Sequence, residues 1–84
     1  MYEIVFTPQS QKELILLTQI EQKRILKKLN FFSSTESPLY FSKPLVNFPP
    51  STHRFRVGNY RIAFHLLKTV IYIDKIGHRK QIYK

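Results

Sequence analysis

His53-Arg54-Phe55-Arg56-Val57-Gly58-Asn59-Tyr60-Arg61-Ile62-Ala63-Phe64 is the stretch from which the rest of the chain can be read. Polar and apolar residues alternate before Gly58-Asn59, and a strand-like run resumes after it. Period-two alternation marks a strand with one buried face, and a Gly-Asn pair between two such runs marks a two-residue hairpin. The loop length then sets the register: Val57 opposite Tyr60, Arg56 opposite Arg61, Phe55 opposite Ile62, Arg54 opposite Ala63. Side chains alternate across a sheet, so Phe55, Val57, Tyr60, Ile62, Phe64 and Leu66 share the core side. Arg54, Arg56 and Arg61 share the other. Like charges directly opposed weaken a sheet, and a one-residue slip would carry the core set into solvent. The core therefore holds the arginines together against their own repulsion, the kind of local conflict expected at a functional site.

A third strand follows Lys68-Thr69, over Val70–Ile76, with Ile71 and Ile73 on the core side. Strict alternation would turn Lys75 inward and Ile76 outward, so either a bulge near Asp74–Ile76 or a different turn before the strand is expected. Asp74 is expected to pair with Arg54 or Arg61 and orient it. Gly77 ends the strand, and His78-Arg79-Lys80-Gln81-Ile82-Tyr83-Lys84 forms a tail.

Upstream, residues 2–7 are a short β-prone run. Thr7-Pro8 reads as a helix start with Pro in its first position, and Ser10-x-x-Glu13 as an overlapping start of capping-box type. Thr18-x-x-Glu21 is a further capping box, so the helical region breaks near Thr18. Ile25, Leu29 and Phe32 recur at helical spacing in the second helix. Lys23, Arg24, Lys27 and Lys28 read as its solvated face. Residues 33–51 hold four of the five prolines and read as a loop, with Tyr40, Phe41, Leu45 and Phe48 expected to pin it to the core.

Eighty-four residues make a single domain, spanning 1–84. The chain has no cysteine, which excludes a disulfide framework, a thiolate nucleophile and a Cys-rich zinc site. No apolar run approaches the roughly 20 residues of a membrane span, and no signal peptide is evident. A cytoplasmic protein with no membrane partner is expected. Fourteen Lys and Arg against five Asp and Glu give a net charge of +9. Residues 1–42 carry five basic and four acidic groups. Residues 43–84 carry nine basic groups against Asp74 alone. This asymmetry points to a polyanionic partner. His53, His65 and His78 are scattered, so neither a metal nor another cofactor is expected.

The stretch from His53 to Phe64, together with Ile76-Gly77-His78-Arg79 and Tyr83, resembles the RelE/ParE superfamily of bacterial type II toxin–antitoxin toxins. The resemblance extends over most of the chain and includes Lys43-Pro44-Leu45. It implies an α+β fold, in which an N-terminal strand and a two-helix hairpin accompany a small antiparallel sheet, with the helices on one face. For the RelE-like branch it implies a metal-independent endoribonuclease that cuts mRNA in the ribosomal A site, by attack of a 2′-OH on the adjacent phosphate. Such chemistry needs a base, an acid and positive charge on the transition state.

Carried over residue by residue, the resemblance makes Arg61 and Arg79 phosphate clamps, because guanidinium binds phosphate oxygens bidentately. Tyr83 would stack on a base or assist proton transfer, and His78 is the acid–base candidate beside Arg79. Arg54, Arg56, Lys80 and Lys84 would bind the nucleic-acid backbone. Several superfamily members carry Lys where this chain has Arg54 and Arg56. Arginine stays protonated, so neither can be the base. The implied partners are the ribosome, its mRNA and an acidic, amphipathic antitoxin that covers the basic face or displaces the tail. The alternatives are a ParE-like inhibitor of DNA gyrase, a toxin that binds RNA or ribosomes without cleaving, and a small basic RNA-binding module.

Overall fold

The computed structural model describes residues 1–82; Tyr83 and Lys84 lie outside the described residues. The order of elements is β1 (Glu3–Phe6), α1 (Pro8–Ile15), α2 (Gln19–Ser34), a 3-10 turn (Pro38–Phe41), β2 (Ser42–Pro44), β3 (His53–Val57), β4 (Tyr60–Leu67) and β5 (Val70–His78). The strands form one sheet in the order β1-β5-β4-β3-β2. Its pairs are antiparallel except β1 with β5, which run parallel. The expected antiparallel sheet is therefore mixed, with the N-terminal strand at one edge.

Both helix starts are set by local hydrogen bonds. Thr7 Oγ1 accepts from the Ser10 amide at 3.2 Å, with Pro8 in the first turn. Thr18 Oγ1 accepts from the Glu21 amide at 3.2 Å while Glu21 Oε1 accepts from the Thr18 amide at 3.3 Å, closing the expected capping box. A cap of this type contributes about 1 kcal/mol. The Ser10–Glu13 pair does not act as a cap. Ser10 is buried inside α1, and its hydroxyl donates to the Thr7 carbonyl at 3.1 Å.

Leu14, Ile25, Leu29 and Phe32 of the helices pack against Phe55, Val57, Ile62, Phe64, Ile71, Ile73 and Ile76 of the sheet. Phe55 stacks between Phe32 and Phe64, with ring centroids 4.3 and 4.1 Å away. The hairpin register is the one the alternation requires, with Val57 opposite Tyr60 and Arg56 opposite Arg61. Gly58 has φ 59°, a conformation open to glycine at this turn position.

The bulge also forms. Ala63 pairs with Lys75 but Phe64 pairs with Ile73, leaving Asp74 as the extra residue. That shift returns Ile76 to the core side. Glu13 Oε1 accepts the Ile76 amide at 2.8 Å. The carboxylate that looked like a capping residue thus serves the bulge.

The segment 33–51 is more ordered than its composition implies. It holds the 3-10 turn and β2, which pairs with β3 through Lys43 and Arg54. Tyr40 does not pin it, being 82% exposed; Pro38 is buried instead. Phe41 stacks on Phe32 at 5.4 Å. Among the described residues, no helix is long and apolar enough to cross a membrane.

Candidate nucleic-acid interface

The helices cover one face of the sheet, and strand alternation sends the arginines to the other. Arg56 and Arg61 are direct cross-strand partners, and Lys43 is the partner of Arg54. Directly opposite residues have Cβ atoms about 4.5–5.5 Å apart. Arg56 is exposed, whereas Arg54 and Arg61 are half-buried. Arg61 Nη1 donates to the carbonyls of Gly58 and Tyr60, each at 3.2 Å, so the hairpin turn itself directs this guanidinium. Sequence reasoning leaves Lys43 out of the patch, because a three-residue strand among prolines has no readable period.

Asp74 is tethered elsewhere along this face. It accepts from Ser51 Oγ at 2.7 Å and lies 2.8 Å from His65 Nδ1, and the His65 ring stacks on Tyr72 at 5.0 Å. These contacts draw the segment before β3 onto the open face, where Lys75 Nζ also lies 5.6 Å from the Phe48 ring centre. Lone among basic residues, Asp74 reads in the sequence as an arginine's partner; its hydrogen bonds make it a staple between β4, β5 and Ser51.

The tail returns to the same face. The Arg79 amide donates to the Asn59 carbonyl at 2.8 Å, tying the end of β5 to the hairpin turn. The amides of Gln81 and Ile82 both donate to the His78 carbonyl, at 2.9 and 3.0 Å. Ile82 is buried above Gly77: a Cβ at Gly77 would lie 3.1 Å from Ile82 Cβ. Gly77 is the cross-strand partner of Arg61. Glycine serves close approach here rather than φ: a Cβ would require Ile82 to give by a few tenths of an ångström. Arg79 and Lys80 are exposed on this turn, and Tyr83 and Lys84 follow it outside the described residues. A lone Ile in a basic tail carries no pattern, so the latch of Ile82 on Gly77 is not legible in the sequence.

His78 stands apart from the arginines. It pairs with Tyr60, which belongs to the helix side, and the two rings meet edge-on at 5.9 Å. Its Nδ1 accepts from the Lys80 amide at 3.2 Å. Tyr60 in turn hydrogen-bonds Glu21 at the start of α2. That bond raises the Tyr60 phenol above its ordinary range and, with Thr18, lowers the Glu21 carboxyl.

The fold and this basic face accompany a match to the family described as the ParE toxin of type II toxin–antitoxin systems, over residues 4–83. The chain belongs to this family. It is a type II toxin of the RelE/ParE superfamily, and solved structures agree in fold. The RelBE2 toxin–antitoxin complex of Mycobacterium tuberculosis matches at TM-score 0.75 and 25% identity, over 93% of this chain and 98% of that one. The RelB–RelE antitoxin–toxin complex of Methanococcus jannaschii matches at TM-score 0.72 and 26% identity, over 94% of each chain. The intact Escherichia coli RelBE complex matches at TM-score 0.71 and 18% identity, over 93% and 96%. No curated protein sequence matches the chain.

Proposed function

We propose that this toxin is a ribosome-dependent, metal-independent endoribonuclease acting on mRNA in the A site. The observation that supports this reading is the meeting of Arg54, Arg56 and Arg61, on the sheet face opposite the helices, with a tail whose Arg79 amide is tied to the hairpin turn. In the proposed reaction a 2′-oxygen loses its proton and bonds to the adjacent phosphorus. The bond from phosphorus to the 5′-oxygen breaks, and that oxygen takes a proton. The products are a 2′,3′-cyclic phosphate and a 5′-hydroxyl. Arg61 and Arg79 neutralise the charge that builds on the non-bridging oxygens, a contribution that typically amounts to 10²–10³ in rate per donor, roughly. Arg61 suits this role because its hydrogen bonds to the turn pre-orient it.

Arg54, Arg56, Lys43 and Lys80 hold the flanking backbone, with Lys84 in the same role. Tyr83 is the stacking and proton-transfer candidate. His78 acts here as a positioning residue, since its Nδ1 holds the turn that carries Arg79. The test is incubation of programmed ribosomes with the toxin, with analysis of the RNA ends. Cyclic phosphate at cuts within the A-site codon is the expected result.

A second reading is favoured by the ParE family match: a gyrase inhibitor, which needs basic binding groups but no catalytic set. Inhibition of DNA supercoiling with no RNA cleavage would select it.

A further inference from the structure

The sheet face opposite the helices changes character along its strands. Toward the β3–β4 turn it carries the arginines. At the other end, where β1, β5 and β4 lie side by side, it carries rings and apolar groups. Val5 pairs with Tyr72, and Tyr72 with His65. The strand neighbours Ile4, Phe6, Ile71 and Ile73 pack on the helix side, so alternation turns Val5, Tyr72 and His65 to the arginine face. In the next row Glu3 pairs with Val70, and Val70 with Leu67. Val5, Leu67 and Glu3 are exposed, and Tyr72 and His65 are half-buried. The proposed reaction uses none of these side chains.

The Tyr72 and His65 rings stack with centroids 5.0 Å apart and planes 12° apart. His65 thus covers one side of the Tyr72 ring, and among the described residues no second ring meets it. The neighbour on its other side is Val5, a much shorter side chain. Adjacent strands lie about 4.8 Å apart, so a flat ring standing over Val5 would continue the stack. A ring already braced by its neighbour has little side-chain freedom left to lose on binding.

We propose that Tyr72, backed by His65 and floored by Val5, stacks an unpaired base of the RNA strand whose phosphates meet Arg54, Arg56 and Arg61. It rests on the proposed function only in taking RNA as the ligand of the basic face, and not on cleavage. Two features on one face support it. Guanidinium groups at one end suit phosphates, and an open aromatic stack at the other suits a base, since every base has a π-face. Aromatic side chains are the usual seats for bases splayed from single-stranded RNA. Glu3, on the same face two residues from Val5, repels phosphate, so the slot takes a base rather than backbone. The spacing fits one strand. Arg61 and His65 are four residues apart on β4, about 13 Å at the strand rise, which is about four stacked nucleotides at about 3.4 Å each.

The test is an NMR titration of the ¹³C,¹⁵N-labelled full chain with two probes: a hexamer of adenylate RNA, and the same sugar–phosphate chain without bases. The adenylate hexamer is expected to shift the Val5 methyl and Tyr72 ring signals and to bind about tenfold more tightly than the abasic chain. Tyr72→Leu keeps an apolar side chain and removes the ring face. It should weaken adenylate binding about tenfold and leave abasic binding unchanged. Val5→Phe fills the slot with a ring of its own and should have the same effect, so the outcome does not depend on the folding of one variant. Equal binding of the two probes, Val5 and Tyr72 signals that do not move, or full adenylate binding by both variants would overturn the proposal. So would failure of the adenylate hexamer to bind. RNA cleavage is not read in any arm, so the ribonuclease reading can fail while this result stands, and the reverse.

Discussion

Gly77→Ala asks whether the tail is latched in the way the structure describes. The new methyl would stand 3.1 Å from Ile82 Cβ, 3.2 Å from its Cγ1 and 3.4 Å from its Cα. Carbon atoms pack best at about 3.5–4.0 Å, so the tail must yield by roughly half an ångström. If it yields in place, the cost is that of overpacking, about 1–3 kcal/mol. If it lets go, the cost is the burial of Ile82, about 1.5–3 kcal/mol. Both routes bring the loss to about 1–3 kcal/mol, and for a domain of this size each kcal/mol lowers Tm by about 4–8 °C.

Urea unfolding measures the sum, and hydrogen exchange separates the routes. Release of the tail would deprotect the Gln81 and Ile82 amides, which both bond the His78 carbonyl. Arg79 sits on the same turn, and misplacing a group by about 1 Å can cost on the order of 100-fold in rate. Gly77→Ala is therefore expected to impair cleavage along with stability. In an Ile82→Ala background the glycine substitution should cost much less, because its clash partner is gone. Equal costs in both backgrounds, or an unchanged stability with both tail amides still protected, would refute the latch.

Three further outcomes follow from the same geometry. Asp74→Ala removes the acceptor for the buried Ser51 hydroxyl and the partner of His65; unfolding should show a loss of about 1–3 kcal/mol, with cleavage per folded molecule unchanged if Asp74 is a staple. Glu13→Ala leaves the Ile76 amide at the bulge without its acceptor, and the same range of about 1–3 kcal/mol is expected in denaturant titrations. The Tyr60–Glu21 bond links stability to pH at both ends. Because the folded Glu21 pKa is lowered, its contribution is present above the unfolded value near 4.5 and is lost as pH falls through the folded one. Because the folded Tyr60 pKa is raised from 10.0, its contribution is present below that value and is lost as pH rises through the folded one. Stability profiles of Tyr60→Phe should lose the alkaline dependence and keep part of the acid one, because Thr18 and Arg24 also lower the Glu21 carboxyl; an acid limb left unchanged would remove the bond from the account.

The β3–β4 hairpin, its register and the shared face of the arginines are legible in the sequence because period-two alternation and a two-residue loop leave one solution. The helix break is legible because Thr18 and Glu21 make a capping box whose partners are local. What is not legible depends on contacts distant in sequence. β2 is a strand only because Lys43 meets Arg54. Glu13 reads as a local cap until the fold brings Ile76 to it, 63 residues away. Asp74, lone acid of a basic half, looks like an arginine partner, yet Ser51 and His65 are what the fold brings to it. His78 reads as an active-site neighbour of Arg79, but one step of strand alternation turns it to the Tyr60 side.

The most direct test of the central claim is cleavage of a defined mRNA on programmed ribosomes by the parent toxin, Arg61→Ala and Arg79→Ala, each freed of antitoxin and shown to be folded. The account predicts cuts within the A-site codon by the parent and a loss of about 100-fold or more in either variant. Absence of cutting by the folded parent, or full cutting by both variants, would contradict it.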